Sequence, residues 1–533
     1  MPRTSRKTLT FPLGGVDRRG GYRRQTRPFS SPWSVNVRGT GPLEVRDRGG
    51  SRPGLSAVSA TDFGSITAIL PLEYIDGDGD WTRSIIVVGN GSFYDVQGAT
   101  AIAATGELIA NSGDTIISNS SGAIIFDSTV TASNPVGPTA AYSVAERSGK
   151  MYMADEKLMV YNPVTGIVGA VIATEGVVPI AKPLVCLYRD RIVLAGTDHI
   201  WYASRQGDPT DWDFGAEMAD LGRAAAGQVG LAGQIGDVIT SLIPVQDKAL
   251  VFASPNSLHV LRGDPITGRV EQVSSEIGVI APMAWAVSPD GLLAFLSNDG
   301  VYLWGAGSTS APVRFSEDRT PGELRDIATT GIISMAYDPT GRGFHLFITP
   351  SSSTGEHWWL DIEQKAMWPV VFQAGHQPTA AARLEVSGLA EVVLGGRDGY
   401  IRKFDASSST DDGTAIESHV LIGPVHMAAS DTTDALVAEL HGLMADISGT
   451  VTWRLVMGDS AEAAADVAVA GVLAAVAGTA IAGVAASGAW SGGRNKVVRT
   501  RARGAWAVIW IEGSGQWAYE AVATVTRQFG RIR

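Results

Sequence analysis

The sequence predicts an all-β protein: a β-propeller of six to eight blades, with an extended N-terminal arm and a C-terminal antiparallel β-sandwich-like domain. Three observations predict it. A short trace, turn residue then strand then aromatic, recurs about every 40 to 50 residues, the period of propeller blades. Gly numbers 63 of 533 residues and charged residues are only 18%, a balance that suits many turns and short strands better than long solvated helices. Helical periodicity is almost absent.

Residues 1–60 read as the arm. Pro12, Gly14, Gly15, Gly20, Gly21, Pro28, Pro32, Gly39, Gly41 and Pro42 leave no uninterrupted strand or helix of useful length. Such a segment builds no core alone and becomes ordered by lying across other surfaces. The arm is also basic. Residues 1–52 hold twelve Lys or Arg against three acids, a balance of +9, while the whole chain carries −12 and the remainder therefore −21. A basic arm on an acidic body is suited to docking on the acidic face of a neighbouring protein, more than on nucleic acid, because its arginines are mixed with Pro, Gly and apolar residues. The segment MPRTSRKTLTF has no apolar run, so it is not expected to act as a secretory signal.

Residues 61–408 read as the propeller. Ile66 to Ile75 and Arg83 to Val88 flank the polar corner Asp76-Gly77-Asp78-Gly79-Asp80, and Ser92 to Val96 closes a first unit. The trace returns at Glu156 to Tyr161, Asp198 to Tyr202, Asn256 to Leu261, Gly300 to Trp304 and Gly399 to Phe404. More continuous apolar runs precede most of these: Ile192 to Ala195, Ala249 to Ala253, Leu292 to Leu296 and Glu391 to Leu394. Continuous runs suit inner strands covered on both faces, alternating runs suit outer ones. The pattern is weakest between Thr100 and Thr131, and Gly215 to Gly233 reads as a long inter-blade loop with one turn of helix. The stretch Leu184 to Phe214 displays a whole unit, with a tight corner at Arg189-Asp190-Arg191 and a polar exit loop, Asp208 to Asp213. That loop is expected to make an inter-blade or inter-subunit contact.

Asp405 to Gly413 is a linker by composition, and residues 409–533 form the last domain. Its expected strands are Ala415 to Ile422, Ala435 to Leu443, Thr450 to Met457, Asn495 to Arg503, Ala505 to Glu512 and Tyr519 to Phe529, alternating with period two. Residues 467–490 interrupt them with 24 uncharged residues, mostly Ala, Gly and Val. Side chains so small make a poor spanning helix, so a buried or interfacial hairpin loop is expected, with membrane contact the lesser reading.

No catalytic, cofactor-binding or metal-binding residues are predicted, and the chain is not expected to be an enzyme. The lone Cys186 sits in an apolar strand, so no intrachain disulfide forms. The eight histidines, His199, His259, His345, His357, His376, His419, His426 and His441, show no ligand spacing. No phosphate-binding loop or nucleophile elbow occurs. Asp76-Gly-Asp78-Gly-Asp80 begins like a calcium loop but has Val87 where the twelfth-position Glu belongs, so a hairpin turn explains it. Ser288-Pro-Asp290-Gly291 resembles propeller-glycosidase turns but lacks their Thr and Trp. Asp211 with Asp213, and Asp361 with Glu363, are carboxylate pairs of the kind that can flank a glycosidic bond. Trp358, Trp359 and Trp368 suit a core or interface better than a sugar groove.

Two regions resemble a known family. One is the arm, Phe11-Pro-Leu-Gly-Gly-Val-Asp-Arg18 with Pro32-Trp-Ser-Val-Asn36-Val-Arg38 and Arg48-Gly-Gly-Ser-Arg-Pro-Gly-Leu55. The other is Asp190-Arg191-Ile-Val-Leu-Ala-Gly196 with Tyr202-Ala-Ser and Gly207-Asp-Pro-Thr-Asp-Trp-Asp213. Both look like tail nozzle proteins (the tail tubular protein B type) of short-tailed bacteriophages. The resemblance covers roughly half the chain, and its motifs are not catalytic. It implies a virion structural protein assembled in the host cytoplasm: a homo-oligomer, commonly a hexameric ring, below the portal and adaptor. Such a ring contacts other tail proteins or fibres and forms the distal DNA-ejection channel. An acidic wall would let DNA slide rather than hold it. The alternative is a carbohydrate-binding or carbohydrate-cleaving propeller for host-surface recognition.

Overall fold

In the computed structural model the described residues are 4–18, 29–40, 48–89, 92–96, 100–101, 143–154, 157–196, 198–228, 238–316, 324, 331–386, 389–430, 433–473, 485–498, 500 and 502–531. Among them, seven antiparallel sheets follow one another as blades. Blade 1 runs from Ile66–Ile75 to Thr100–Ala101, blade 2 from Val144–Arg147 to Ile167–Ala170, and blade 3 from Leu184–Tyr188 to Ala225–Gln228. Blades 4, 5 and 6 begin at Ser241–Val245, Trp285–Val287 and Ile332–Asp338. Blade 7 takes three strands from its own sequence, Pro378–Val386, Leu389–Gly396 and Ile401–Asp405; its fourth, Gly54–Ala57, comes from the arm. The first strand of blade 7 packs beside the first strands of blades 6 and 1, which closes the ring. The β-propeller fold is therefore shown, with a blade number inside the expected range. The weak stretch from Thr100 to Thr131 lies almost wholly outside the described residues.

The continuous apolar runs are the second strand of each blade, not the innermost. Arg191–Ala195 and Ala249–Ala253 are buried along their whole length because a neighbouring blade covers each face. The hydroxyls that join blade to blade carry no hydropathy signal. Ser143 Oγ donates to Val185 O, Thr240 Oγ1 to Val279 O, Thr349 Oγ1 to Pro378 O and Thr379 Oγ1 to Ile66 O. On one face the first hairpins also reach forward: Arg147 pairs with Asp190 at 2.8 Å, and Arg189 N donates to Asp247 Oδ1 at 3.0 Å. Arg189 and Asp190 both hold positive φ, 49° and 58°, the conformation a two-residue hairpin turn demands. Gly215 to Gly233 holds no described helix; it contains the outermost strand of blade 3, Ala225–Gln228.

The C-terminal domain is a sandwich of two sheets; five of the six expected strands are present, and the sixth, Asn495 to Arg503, is found as two, Gly493–Val498 and Arg503–Gly504. One sheet contains Tyr519–Arg531, Thr433–Met444 and Gly493–Val498; the other contains Ser418–His426, Trp506–Gly513, Val451–Gly458 and Ala485–Trp490. A Cβ on Gly442 of the first sheet would meet the Trp490 indole of the second at 2.5 Å, so this glycine permits close sheet-on-sheet approach. The expected hairpin loop at 467–490 is corrected. Its start belongs to a helix, Ala461–Leu473, and its end to a strand, Ala485–Trp490; residues 474–484 lie outside the described residues. Ala is the best helix former, Ser460 Oγ caps the first turn by accepting from Ala463 N at 3.0 Å, and Ala461, Ala464, Ala465 and Ala468 form the buried face. No described helix is long and apolar enough to cross a membrane.

The described arm is woven into its own chain. Thr4–Leu9 pairs with Tyr519–Arg531 as an edge of the first sandwich sheet, Ser34–Val35 pairs with Ser418–His426 as an edge of the second, and Gly54–Ala57 completes blade 7. One continuous apolar core thus contains Leu9, Phe11 and Val37 of the arm, Phe347, Trp368 and Val392 of blades 6 and 7, and Leu440, Trp453 and Ile509 of the sandwich.

Candidate functional site

The residues considered for chemistry do not converge. Asp211 and Asp213 act in succession as turn caps: Asp211 Oδ1 accepts from Asp213 N at 2.9 Å, and Asp213 Oδ1 accepts from Gly215 N at 2.9 Å. Asp361 is buried, with Oδ1 accepting from Gln364 N, whereas Glu363 is exposed. Trp358, Trp359 and Trp368 are buried in the core and line no groove. Asp76 Oδ1 accepts from the amides of Asp78 and Asp80, and Oδ2 accepts from Thr82 Oγ1. That is a hairpin cap, and the Asp80 amide holds the carboxyl below its ordinary range. Among the described residues no three His, Cys, Asp or Glu side chains are grouped as metal ligands. Cys186 is buried and burial pushes its thiol well up; thiolate chemistry needs the opposite.

What the structure builds instead is a joint and a braced loop. At the joint, the arm passes between blades 6 and 7 and the sandwich. Arg52 is fully buried, stacked 4.7 Å from the Phe372 ring centroid and paired with both carboxylate oxygens of Asp411. Its Nε donates to Asn36 Oδ1 at 3.0 Å, and the same oxygen accepts from Val371 N at 2.9 Å, while Asn36 Nδ2 donates to Glu417 O at 2.8 Å. Asn36 sits at φ 55°, a conformation Asn tolerates better than most residues. Arg38, also buried, stacks 4.5 Å over Trp359 and lies 4.0 Å from Asp338. Burial pushes its guanidinium down to about 10, so it stays charged at neutral pH. His345 packs on Phe404 and Trp359, each at 4.6 Å, and burial holds it down to about 4 against the pull of Asp338.

Ahead of the joint, Arg18 pairs with Glu356 at 3.1 Å and lies 4.1 Å over Trp33. Gly15, at φ 75°, lies so close to blade 6 that a Cβ would stand 2.6 Å from Met367 O. Asn36, Arg38, Arg52 and Gly15 all fall in the arm phrases at 11–18, 32–38 and 48–55. Those phrases are thus structural here. Sequence reasoning missed Asp411, because the linker composition around it hid a buried partner.

The braced loop is the exit loop of blade 3. Trp212, fully buried, is wedged between blades 2 and 3 with Tyr152, Leu158, Val185 and Leu194, and its Nε1 donates to Pro209 O at 2.9 Å. The strand Asp211–Trp212 pairs in parallel with Glu175–Gly176 of the preceding linker. The loop is therefore an inter-blade contact, one of the two alternatives expected. Buried Arg191 donates to the carbonyls of Ser204, Leu221, Gly222 and Arg223, and Arg205 ties Asp211 to Asp220.

Fold and joint together define a β-propeller, with seven blades among the described residues, locked to a β-sandwich by its arm. No family model and no curated protein sequence matches the chain. Several solved structures are similar to it. The WD40 β-propeller domain of Doa1 is 10% identical, covering 66% of this chain and 97% of that one, with TM-score 0.37. YCF48 from Cyanidioschyzon merolae is 11% identical, covering 66% and 98%, with TM-score 0.39. The extracellular domain of the putative hybrid two component system BT3049 from B. thetaiotaomicron is 10% identical, covering 75% and 46%, with TM-score 0.40. Likeness this distant carries no functional inference.

Proposed function

We propose that the chain is a structural subunit of a bacteriophage tail, an oligomeric nozzle below the portal and adaptor through which DNA leaves the particle. One observation carries the reading: of the phrases that resemble the nozzle family, those of the arm lock arm, propeller and sandwich together. Asn36, Arg38 and Arg52 serve that joint and Gly15 seats the arm on blade 6 ahead of it, so the resemblance falls on residues with an architectural task. The acidic balance of the body, −21 outside residues 1–52, suits a wall along which DNA slides without being held.

The test is mass spectrometry and cryo-electron microscopy of particles that package the gene. The chain is expected in purified virions, as a ring attached to the adaptor. Its absence from virions, or recovery only as a soluble monomer that retains capsule polysaccharide, would overturn the reading.

A further inference from the structure

Thirteen large apolar side chains are exposed among the described residues, and six of them stand on two loops at the seam of blades 2 and 3. Ile172, Val177 and Ile180 lie on the linker into blade 3; Phe214, Met218 and Leu221 lie on its exit loop. Met218 is 86% exposed and Ile172 83%, values that a folded chain gives to isolated side chains but seldom to a group. The loops are not loose. The parallel pairing of Glu175–Gly176 with Asp211–Trp212 joins them, Trp212 anchors them, and Arg191 and Arg205 fix the turn that carries Met218 and Leu221. A rigid display of this kind lowers the entropy cost of association. The rim is acidic. Lys182 is engaged by Asp198, Arg205 by Asp211 and Asp220, and Arg223 by the carbonyls of Met218 and Asp220, whereas Glu175, Asp213 and Glu217 have no ion-pair partner among the described residues.

A complementary surface lies elsewhere on the same chain. In the first sandwich sheet, register sets Arg6 opposite Val525, Arg527 opposite Thr4 and Leu436, and Arg494 opposite Leu443. Leu436, Leu443 and Val525 are half-buried, while Arg6, Arg494 and Arg527 are exposed, with no carboxylate partner among the described residues. Glu439 on that face is held by His441 and Lys496.

We infer that the seam of blades 2 and 3 docks a second copy of this chain, which presents the basic outer face of its sandwich. Both surfaces are exposed in one molecule, so the contact is heterologous and propagates from copy to copy until a ring closes or a filament grows. The acidic rim meets Arg6, Arg494 and Arg527, and the apolar centres meet each other. This contact rests on the oligomeric reading above and gives that reading a specific interface.

The experiment is sedimentation velocity of the full-length protein over a concentration series, at low and high salt. Two variants are made: Glu175→Arg with Glu217→Arg on the seam, and Arg6→Glu with Arg527→Glu on the sandwich. Thermal melts confirm that each folds. Wild type is expected to self-associate, each variant alone to lose at least about tenfold in association constant, and an equimolar mixture to regain assembly, since the reversed seam then meets the reversed face. Restoration on mixing cannot arise from misfolding. If both variants assemble like wild type, this interface is overturned while an oligomeric tail protein survives. A wild type that stays monomeric overturns the interface, and capture of that monomer by the portal and adaptor would leave the tail role standing. Binding of the seam only to a different basic protein also overturns it.

Discussion

Arg52 and Asp411, separated by more than half the chain, close on each other in a paired geometry, with Nη1 2.8 Å from Oδ1 and Nη2 bonded to Oδ2. Both are buried, so neither charge has water to fall back on. Removing one partner strands the other, a loss of about 3–5 kcal/mol. Arg52→Met alone, or Asp411→Leu alone, is expected to lower the urea midpoint strongly. The double variant is expected to recover much of the loss, because an apolar pair needs no hydration. A double variant no better than the worse single would show that the hydrogen bonds to Asn36 carry the site.

Gly15 tests whether the arm's seat on blade 6 is required. Its φ of 75° and the 2.6 Å approach to Met367 O exclude a side chain. Gly15→Val is expected to lift residues near 15 off the blade, speeding proteolysis of the arm while the propeller resists. Unchanged cleavage would place the arm's hold elsewhere.

Two buried histidines, His345 and His357, and the half-buried His419 set a pH limit. Burial lowers His345 to about 4, His357 to about 3 and His419 to about 4. Each is depressed below the unfolded value near 6.5, so the stability is whole above about pH 6.5 and is lost as pH falls towards the folded values. At pH 5, His345 alone costs on the order of 2 kcal/mol. Thermal melts between pH 7 and pH 4 should fall steeply below 6.5, and His345→Gln should flatten that fall. A melting temperature constant down to pH 4.5 would contradict the buried neutral state.

Trp212 is the anchor of the exit loop. Trp212→Ala leaves a cavity between blades 2 and 3 and is expected to cost about 3–5 kcal/mol by denaturant titration. Hydrogen exchange should rise first in residues 205–223. A change confined to that loop, with no global loss, would make Trp212 a local clip.

Cys186 reports on opening of blade 3. With the thiol buried and held neutral by burial, labelling by a thiol reagent at pH 8 should follow the rate of unfolding, not the thiol's own reactivity. Fast labelling of the native protein would place blade 3 in a more open state.

The fold was legible where period-two alternation survived in single strands. Thr433–Met444 lies within a few residues of its expected bounds, because one of its faces is core and the other is not. The helix Ala461–Leu473 was hidden because Ala counts as apolar on every side, so its buried and exposed faces do not contrast. The arm's pairing was hidden for another reason. Two-residue strands such as Ser34–Val35 have no periodicity to read; their partners lie hundreds of residues away. The joint was half legible: Arg52 and Asn36 lie in the quoted arm phrases without being singled out, and only the fold brings Asp411 to them.

The weaving of the arm fixes an order of assembly. Residues 4–57 are made before the strands that receive them, Ile401–Asp405, Ser418–His426 and Tyr519–Arg531. Six blades can therefore form while the arm waits, and the seventh is finished only by a strand made before any of them. Closing so long a loop is slow, and until it closes the sheet edges meant for the arm stand open to other chains. The final step of folding is therefore also the one that protects this protein from pairing at those edges with its neighbours on the polysome.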